Sequence, residues 1–310
     1  MNRHNSVLMQ HYKNLLALYE AQEYPLPGIS NPLHRDTFIK QVIDSVRRIE
    51  YVSRIASRPI CPNRADPQDE ELFDPLRAAL IHKSLGNHDE ACWLIFLLTH
   101  FGRHRYAKWR YVREIYGKLG EQPYWSWPEI SADPQAFRTW LRQSTHHILR
   151  GDDRGFGNHR KFTSMDADKP NGTGMAVQTY VGWVTGHDGH SQLFQTALDQ
   201  SGADPKQAFE WLYRSMSVVR SFARLGKFDY LTMLGKTGLA PIAPGLTYLA
   251  GSSGPRSGAD LILGSAGFSI REKENRLVLL AQYLNVNMQV IEDSLCNWHK
   301  TSGTYIYFSG

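Results

Sequence analysis

The chain has 310 residues, 42% of them hydrophobic and 21% charged, with a formal net charge of +5. That composition excludes wholesale disorder and leaves room for a substantial core. The apolar run Leu94–Leu98 is far shorter than the roughly 20 residues that span a bilayer. No apolar stretch with a small-residue cleavage site follows the N-terminus, so a cytoplasmic protein with no membrane partner is expected.

In chain order, the first strong pattern is Asp36–Ser57, where Phe38, Val42, Val46, Ile49 and Val52 form one helical stripe. Three cysteines, Cys61, Cys92 and Cys296, stand far apart with no CxxC pair, which favours free thiols in a reducing compartment. Asn87 with Glu90 resembles a capping box ahead of an apolar helix. Asp133-Pro134 and Asp204-Pro205 each put a capping carboxylate before a proline suited to a first helical turn. After the second pair, Phe209, Leu212, Met216 and Val219 line one face. Ser269 is placed to cap a helix carrying Leu277, Leu280 and Leu284, and a last helix is expected over Met288–Trp298. About ten helices follow from this periodicity, and the fold class is all-α. Thr304–Phe308 alone has concentrated β-propensity, and a terminal tail accounts for it equally well. The longest irregular stretches are Pro59–Pro75 and Arg150–Thr173.

Four segments have the residue types for chemistry. Phe156–Lys161 lies in a loop with Arg150, Arg154 and Lys169. Its Asn158, His159, Arg160 and Lys161 could donate to an oxyanion, or form only a solvated basic loop. In Arg220–Lys236, Arg220, Arg224 and Lys227 share a face if the helix runs through Gly226. Asp229 would then be either a salt-bridge anchor or an acceptor for an amine proton. Gly235-Lys236-Thr237 is no phosphate loop, because Tyr230 stands where the first glycine should be.

The third segment, Pro241–Gly264, reads as a helix ending near Leu249, a turn at Gly251–Gly254, and a second helix starting at Pro255. Backbone N–H groups at such a turn suit a phosphate, and Arg256 adds charge. Asp260 is the only acid between Tyr230 and Arg271, so little there repels a nucleic acid. A tight interhelical turn without a ligand is the plainer alternative. In the fourth, Ile291–Lys300, Glu292, Asp293, Cys296, His299 and Lys300 have spacings that allow convergence, although Cys296 also suits a core position. The pairs His100/His104 and His187/His190 have metal-compatible spacing but lack a third ligand, and no metal is expected. The stretch His104–Tyr116 could stack bases and contact phosphates, or be a surface helix with snorkelling arginines.

Together FGNHRKF (156–162), GTGMAVQTYVGWV (172–184), FARLGKFDYLTMLGKTGLAPIAPG (222–245), TYLAGSSGPRSGADLILG (247–264) and LCNWHK (295–300) resemble the α-glutamyl/putrescinyl thymine pyrophosphorylases, clade 3. The resemblance covers roughly 72–300 and implies a helical fold related to helix–hairpin–helix DNA glycosylases. It divides the chain into an N-terminal helical extension (1–70), a catalytic region (71–300) with the hairpin near 241–264, and a tail (301–310).

It further implies that an amine, an amino acid or polyamine, displaces pyrophosphate from 5-pyrophosphoryloxymethyluracil in DNA. No cofactor is needed, because the leaving group is already on the base. Asn158, Arg160, Lys161 and Lys227 would bind pyrophosphate, with Asp229, Glu292 and His159 as catalytic candidates. Gly251, Ser253, Gly254, Arg256, Ser257 and Gly258 would contact DNA. A non-catalytic DNA-binding module and a base-excision enzyme are the competing readings. The short glycosylase signature of a hairpin followed closely by lysine and aspartate is missing, which disfavours excision.

Overall fold

The computed structural model describes residues 3–151, 156–157, 163–264 and 267–307. Among them are fourteen α-helices and no strand. They are α1 (Arg3–Gln22), α2 (Pro32–Ala56), α3 (Pro75–Ser84), α4 (His88–Phe101), α5 (Arg110–Tyr116), α6 (Trp127–Ala132), α7 (Pro134–Ile148), α8 (Thr173–Thr185), α9 (His190–Asp199), α10 (Pro205–Ser215), α11 (Arg224–Thr237), α12 (Gly254–Leu263), α13 (Ile270–Leu284) and α14 (Met288–Trp298). The all-α expectation holds, with more helices than the periodicity resolves because short ones such as α5 and α6 span under two turns.

Contacts divide the chain into two units, 53–242 and a second made of 1–52 with 243–310. These boundaries differ from the sequence-based division at 70 and 300. The larger unit is built round α4, which is buried on every side from Glu90 to Phe101. An all-round apolar helix is stable only when covered, and α3, α9 and α11 pack on it, with α5 and α6 at its flanks.

Glu90 does not close a capping box with Asn87 as expected. Its carboxylate accepts the Trp127 N–H at 2.6 Å and so caps the start of α6 instead. Burial pushes that carboxyl upward from its ordinary range. The caps at Asp133 and Asp204 form as expected, each accepting two first-turn N–H groups. Helix α10 stops at Ser215, so Met216 and Val219 continue its buried face from beyond the helix end.

In the smaller unit, α12 packs on α14, and α1 packs on α13. Leu16, Tyr19, Phe38, Ile262, Leu277, Leu280, Ile291, Leu295 and Trp298 form the core. Ser269 and Glu272 make the full capping box of α13. The C-terminal segment is a docked tail: Gln41 donates to the Ile306 carbonyl at 2.8 Å, and the Tyr305 hydroxyl donates to Asp44.

The first limb of the expected hairpin is not helical. Residues 241–249 carry Pro241, Pro244 and Gly245, and their amides bond elsewhere. The buried Glu274 carboxylate accepts the Thr247 N–H and hydroxyl, both at 2.9 Å, and the Leu249 N–H at 2.7 Å. A helix through this stretch would give up those three bonds.

Glu274→Ala leaves two buried N–H groups and one hydroxyl without an acceptor. Each such loss costs about 1–3 kcal/mol, so chemical denaturation of the variant should show a loss above 2 kcal/mol. A loss below 0.5 kcal/mol would mean that the turn does not depend on this carboxylate.

Candidate nucleic-acid interface

The turn before α12 splits its glycines into two kinds. Gly251 has φ +73° and open space around it, so it serves the backbone bend. Gly254 and Gly258 face α14 instead. A Cβ at Gly254 would lie 2.7 Å from Cys296 Sγ, and one at Gly258 would lie 2.4 Å from the Leu295 carbonyl oxygen. Two glycines four residues apart thus bring the backbones of α12 and α14 together. Of the six expected DNA contacts, Gly258 is buried and Gly254 half-buried, whereas Gly251, Ser253, Arg256 and Ser257 are exposed. Asp260, the single acid between Tyr230 and Arg271 in sequence, is ion-paired with the buried Lys273. Ser253 precedes α12 without a side-chain cap bond, and Arg256 lies in the first turn.

In the larger unit, Arg220 precedes α11, and its N–H donates to Thr179 Oγ1 at 2.9 Å, so the expected three-cation face does not extend to it. Lys227 lies 4.1 Å above the Tyr213 ring and donates to Ser217 at 3.0 Å. Burial lowers its ionisation from the ordinary lysine value. Asp229 is half-buried, two positions on and therefore on a different side of α11 from Lys227. Glu292 is buried on α14 in the smaller unit. Its neighbour Asp293 pairs with Arg48 at 2.7 Å and accepts from Asn297 at 2.9 Å. His299 and Lys300 bond within the end of α14, to the Leu295 carbonyl and Asn297 respectively.

Asn158, His159, Arg160 and Lys161 lie outside the described residues, but the preceding two are firmly placed. Phe156 packs against Phe101, His100 and Tyr111, and the Gly157 N–H donates to the Phe101 carbonyl at 2.8 Å. Phe156 ends an aromatic column in which Tyr180, Phe96 and Phe222 stack face to face, with Phe96–Tyr180 centroids 3.9 Å apart. His100 stacks into the same column and bonds Thr173 Oγ1 at 3.0 Å, while His104 caps its own turn. The two histidines therefore serve separate structural ends, and among the described residues no three His, Cys, Asp or Glu side chains form a metal-ligand group.

Two polar groups carry more than the sequence suggests. Glu114 on α5 is 5% exposed, with Arg150 at 3.1 Å and Arg113 at 4.0 Å. Burial disfavours its charged form and raises the carboxyl above its ordinary range, and the charges of Arg150, Arg110 and Arg113 oppose that rise.

The second is a hydrogen-bonded chain joining α4, α8, α9 and α11, buried from Tyr230 to His190. Asp89 Oδ1 takes the His190 Nδ1–H at 2.6 Å and the His190 N–H at 3.0 Å. His190 Nε2 is then the acceptor of the Tyr180 hydroxyl at 2.6 Å, and Tyr180 accepts from Tyr230 at 2.8 Å. The attraction of Asp89 favours a charged ring, but complete burial opposes it more strongly and holds His190 below its ordinary value of 6.5. In the sequence, His190 stands out only as half of a metal-like pair with His187. The signal for its true role, Asp89, lies about a hundred residues away.

Gly258→Ala should destabilise by about 1–3 kcal/mol, because the new methyl meets backbone. Arg256→Glu should stay within about 0.5 kcal/mol of the parent, as an exposed change does. Equal thermal stability of the two variants would contradict the division between packing and surface. Because folding holds His190 below 6.5, the unfolded chain takes up that proton first and acid favours unfolding. Asp89, lowered from 3.8, adds a further loss at lower pH. The melting temperature should fall between pH 7 and 5, and His190→Gln should reduce that slope. An unchanged slope would remove His190 from the acid response.

No helix of the described residues is long and apolar enough to cross a membrane. No curated protein and no solved structure matches the chain. A family model for alpha-glutamyl/putrescinyl thymine pyrophosphorylase clade 3 matches residues 33–310, a span that takes in the α12 turn, Asp229, Glu292 and the basic segment 158–161. The chain belongs to that family.

Proposed function

We propose that this protein modifies a thymine-derived base in DNA by replacing pyrophosphate with an amine. A neutral amine nitrogen attacks the methylene carbon of 5-pyrophosphoryloxymethyluracil, the carbon–oxygen bond breaks, and pyrophosphate leaves with the electron pair. The attacking nitrogen then releases a proton to a carboxylate. The family match over 33–310 carries this reading. The exposed Gly251, Ser253, Arg256 and Ser257, with Asp260 neutralised by Lys273, support contact with a phosphate backbone.

Arg160 and Lys161, with Asn158 and His159, are assigned to the departing pyrophosphate, whose charge grows in the transition state. Lys227, which donates to Ser217 and lies over the Tyr213 ring, is a further candidate for that contact, because an ammonium carries three donors. Asp229 is the first candidate for the proton acceptor because it belongs to the same unit as Phe156 and Gly157. Glu292 is the second. The duplex must release the target base from its stack, at a cost of a few kcal/mol that backbone contacts offset.

Mass spectrometry of nucleosides, after incubation of pyrophosphorylated DNA with an amine pool, tests the reaction. The expected product is an aminomethyl-linked thymine analogue. Free base or abasic sites would instead show excision, and binding without a product would show a non-catalytic module. Arg160→Ala combined with Lys161→Ala should slow transfer by at least about a hundredfold with DNA affinity little changed. Wild-type transfer by that variant would remove both cations from catalysis.

A further inference from the structure

Between Phe101 and α5 the chain makes a tight turn that the proposed reaction does not use. The His104 N–H donates to the Lys108 carbonyl at 2.8 Å, and the Lys108 N–H returns the bond at 3.0 Å. Inside this ring, His104 Nδ1 accepts the Ala107 N–H at 3.0 Å and the Tyr106 N–H at 3.3 Å. The turn is thus held by four hydrogen bonds and does not rely on an apolar core. Tyr106 stands at its tip, 65% exposed. The Arg105 guanidinium lies 5.3 Å from its ring centre, and Arg103, Arg105 and Lys108 are all exposed. No acid occurs from Arg103 to Arg113, and the next residue, Glu114, is buried.

A lone exposed aromatic needs no explanation. Here, however, the aromatic ring is fixed by a closed turn, flanked by three cations, and joined to the segment assigned to catalysis. The Gly157 N–H bonds the Phe101 carbonyl, and a Cβ at Gly157 would come within 2.2 Å of the Arg103 carbonyl carbon. The first residues of the FGNHRK segment therefore rest directly on the base of the turn. Aromatic faces stack on bases whatever their sequence, and neighbouring cations hold the phosphates on either side.

We propose that the Arg103–Lys108 turn is a contact for duplex DNA, in which Tyr106 stacks against the bases left when the target nucleotide leaves the helix. Arg103, Arg105 and Lys108 hold the flanking phosphates. The proposal rests on the reading of DNA as substrate. It assigns to Tyr106 a positioning role, since the ring stabilises the open duplex and does not touch the reacting atoms.

The test uses the full chain and a duplex with 2-aminopurine at the target position, whose emission rises when the base leaves the stack. Wild-type protein should raise the emission. Tyr106→Ala should lose most of that rise and bind about tenfold more weakly, while Tyr106→Phe should retain both. Emission unchanged by Tyr106→Ala, with wild-type binding intact, would overturn the proposal and leave DNA as the substrate. Equal weakening on single-stranded DNA, without an emission change on the duplex, would also overturn it in favour of a single-strand platform. Absence of wild-type binding to duplex at low salt would overturn both the proposal and the reading beneath it.

Discussion

The Glu274 carboxylate sets the geometry on which the smaller unit depends. It is buried, and it gathers the Thr247 and Leu249 amides that a helix would otherwise have used. A buried amide must find a partner, so residues 241–253 become an irregular approach to α12 and not a helical limb. That approach releases the chain at Gly251, where a positive φ turns it into α12. From there Gly254 and Gly258 draw α12 onto α14, leaving Arg256 and Ser257 on the outer side. An exposed tip with fixed backbone and one offset acid suits a phosphate contact because little of it must be ordered on binding.

In the larger unit the equivalent constraint is the crowding round α4. Once a helix is apolar on every side, its neighbours must supply large flat surfaces, and they do so with stacked rings from α8 and from Phe222. The polar ends of those rings need partners in turn. Tyr230, Tyr180, His190 and Asp89 satisfy one another in a single direction, ending at the Asp89 side chain, which is 43% exposed. The same column runs out through His100 to Phe156 and so fixes where the basic segment begins. The buried polar chain and the position of Phe156 are thus tied to one aromatic column.

Local chemistry was the legible part of this sequence. Asp133, Asp204 and Ser269 cap the helices that their spacing indicates, because a cap needs only residues two or three positions away. Glu90 misleads for the same reason. Its spacing from Asn87 suits a local box, but a desolvated carboxylate goes to the best donor in space, and that is the Trp127 amide. The hairpin was half legible: the turn and α12 follow from glycine and proline, whereas the non-helical limb is dictated by Glu274, some 25 residues later. Asp89 and His190, 101 positions apart, leave no local trace. Gly258-Ala259 reads as a close-packing pair in the sequence, but its partner does not: only the Cβ positions of Gly254 and Gly258 against Cys296 and Leu295 identify α14.

The central claim is that the fixed turn at Gly251–Ser253 and the first turn of α12, which carries Arg256, meet DNA. Amide hydrogen exchange of the full chain, with and without duplex DNA at low salt, tests it most directly. The account predicts slowed exchange at the amides of 251–257 and of the 103–108 turn, fading as salt rises because phosphate contacts act through counterion release. Unchanged exchange at 251–257 under conditions where the DNA is bound would contradict it.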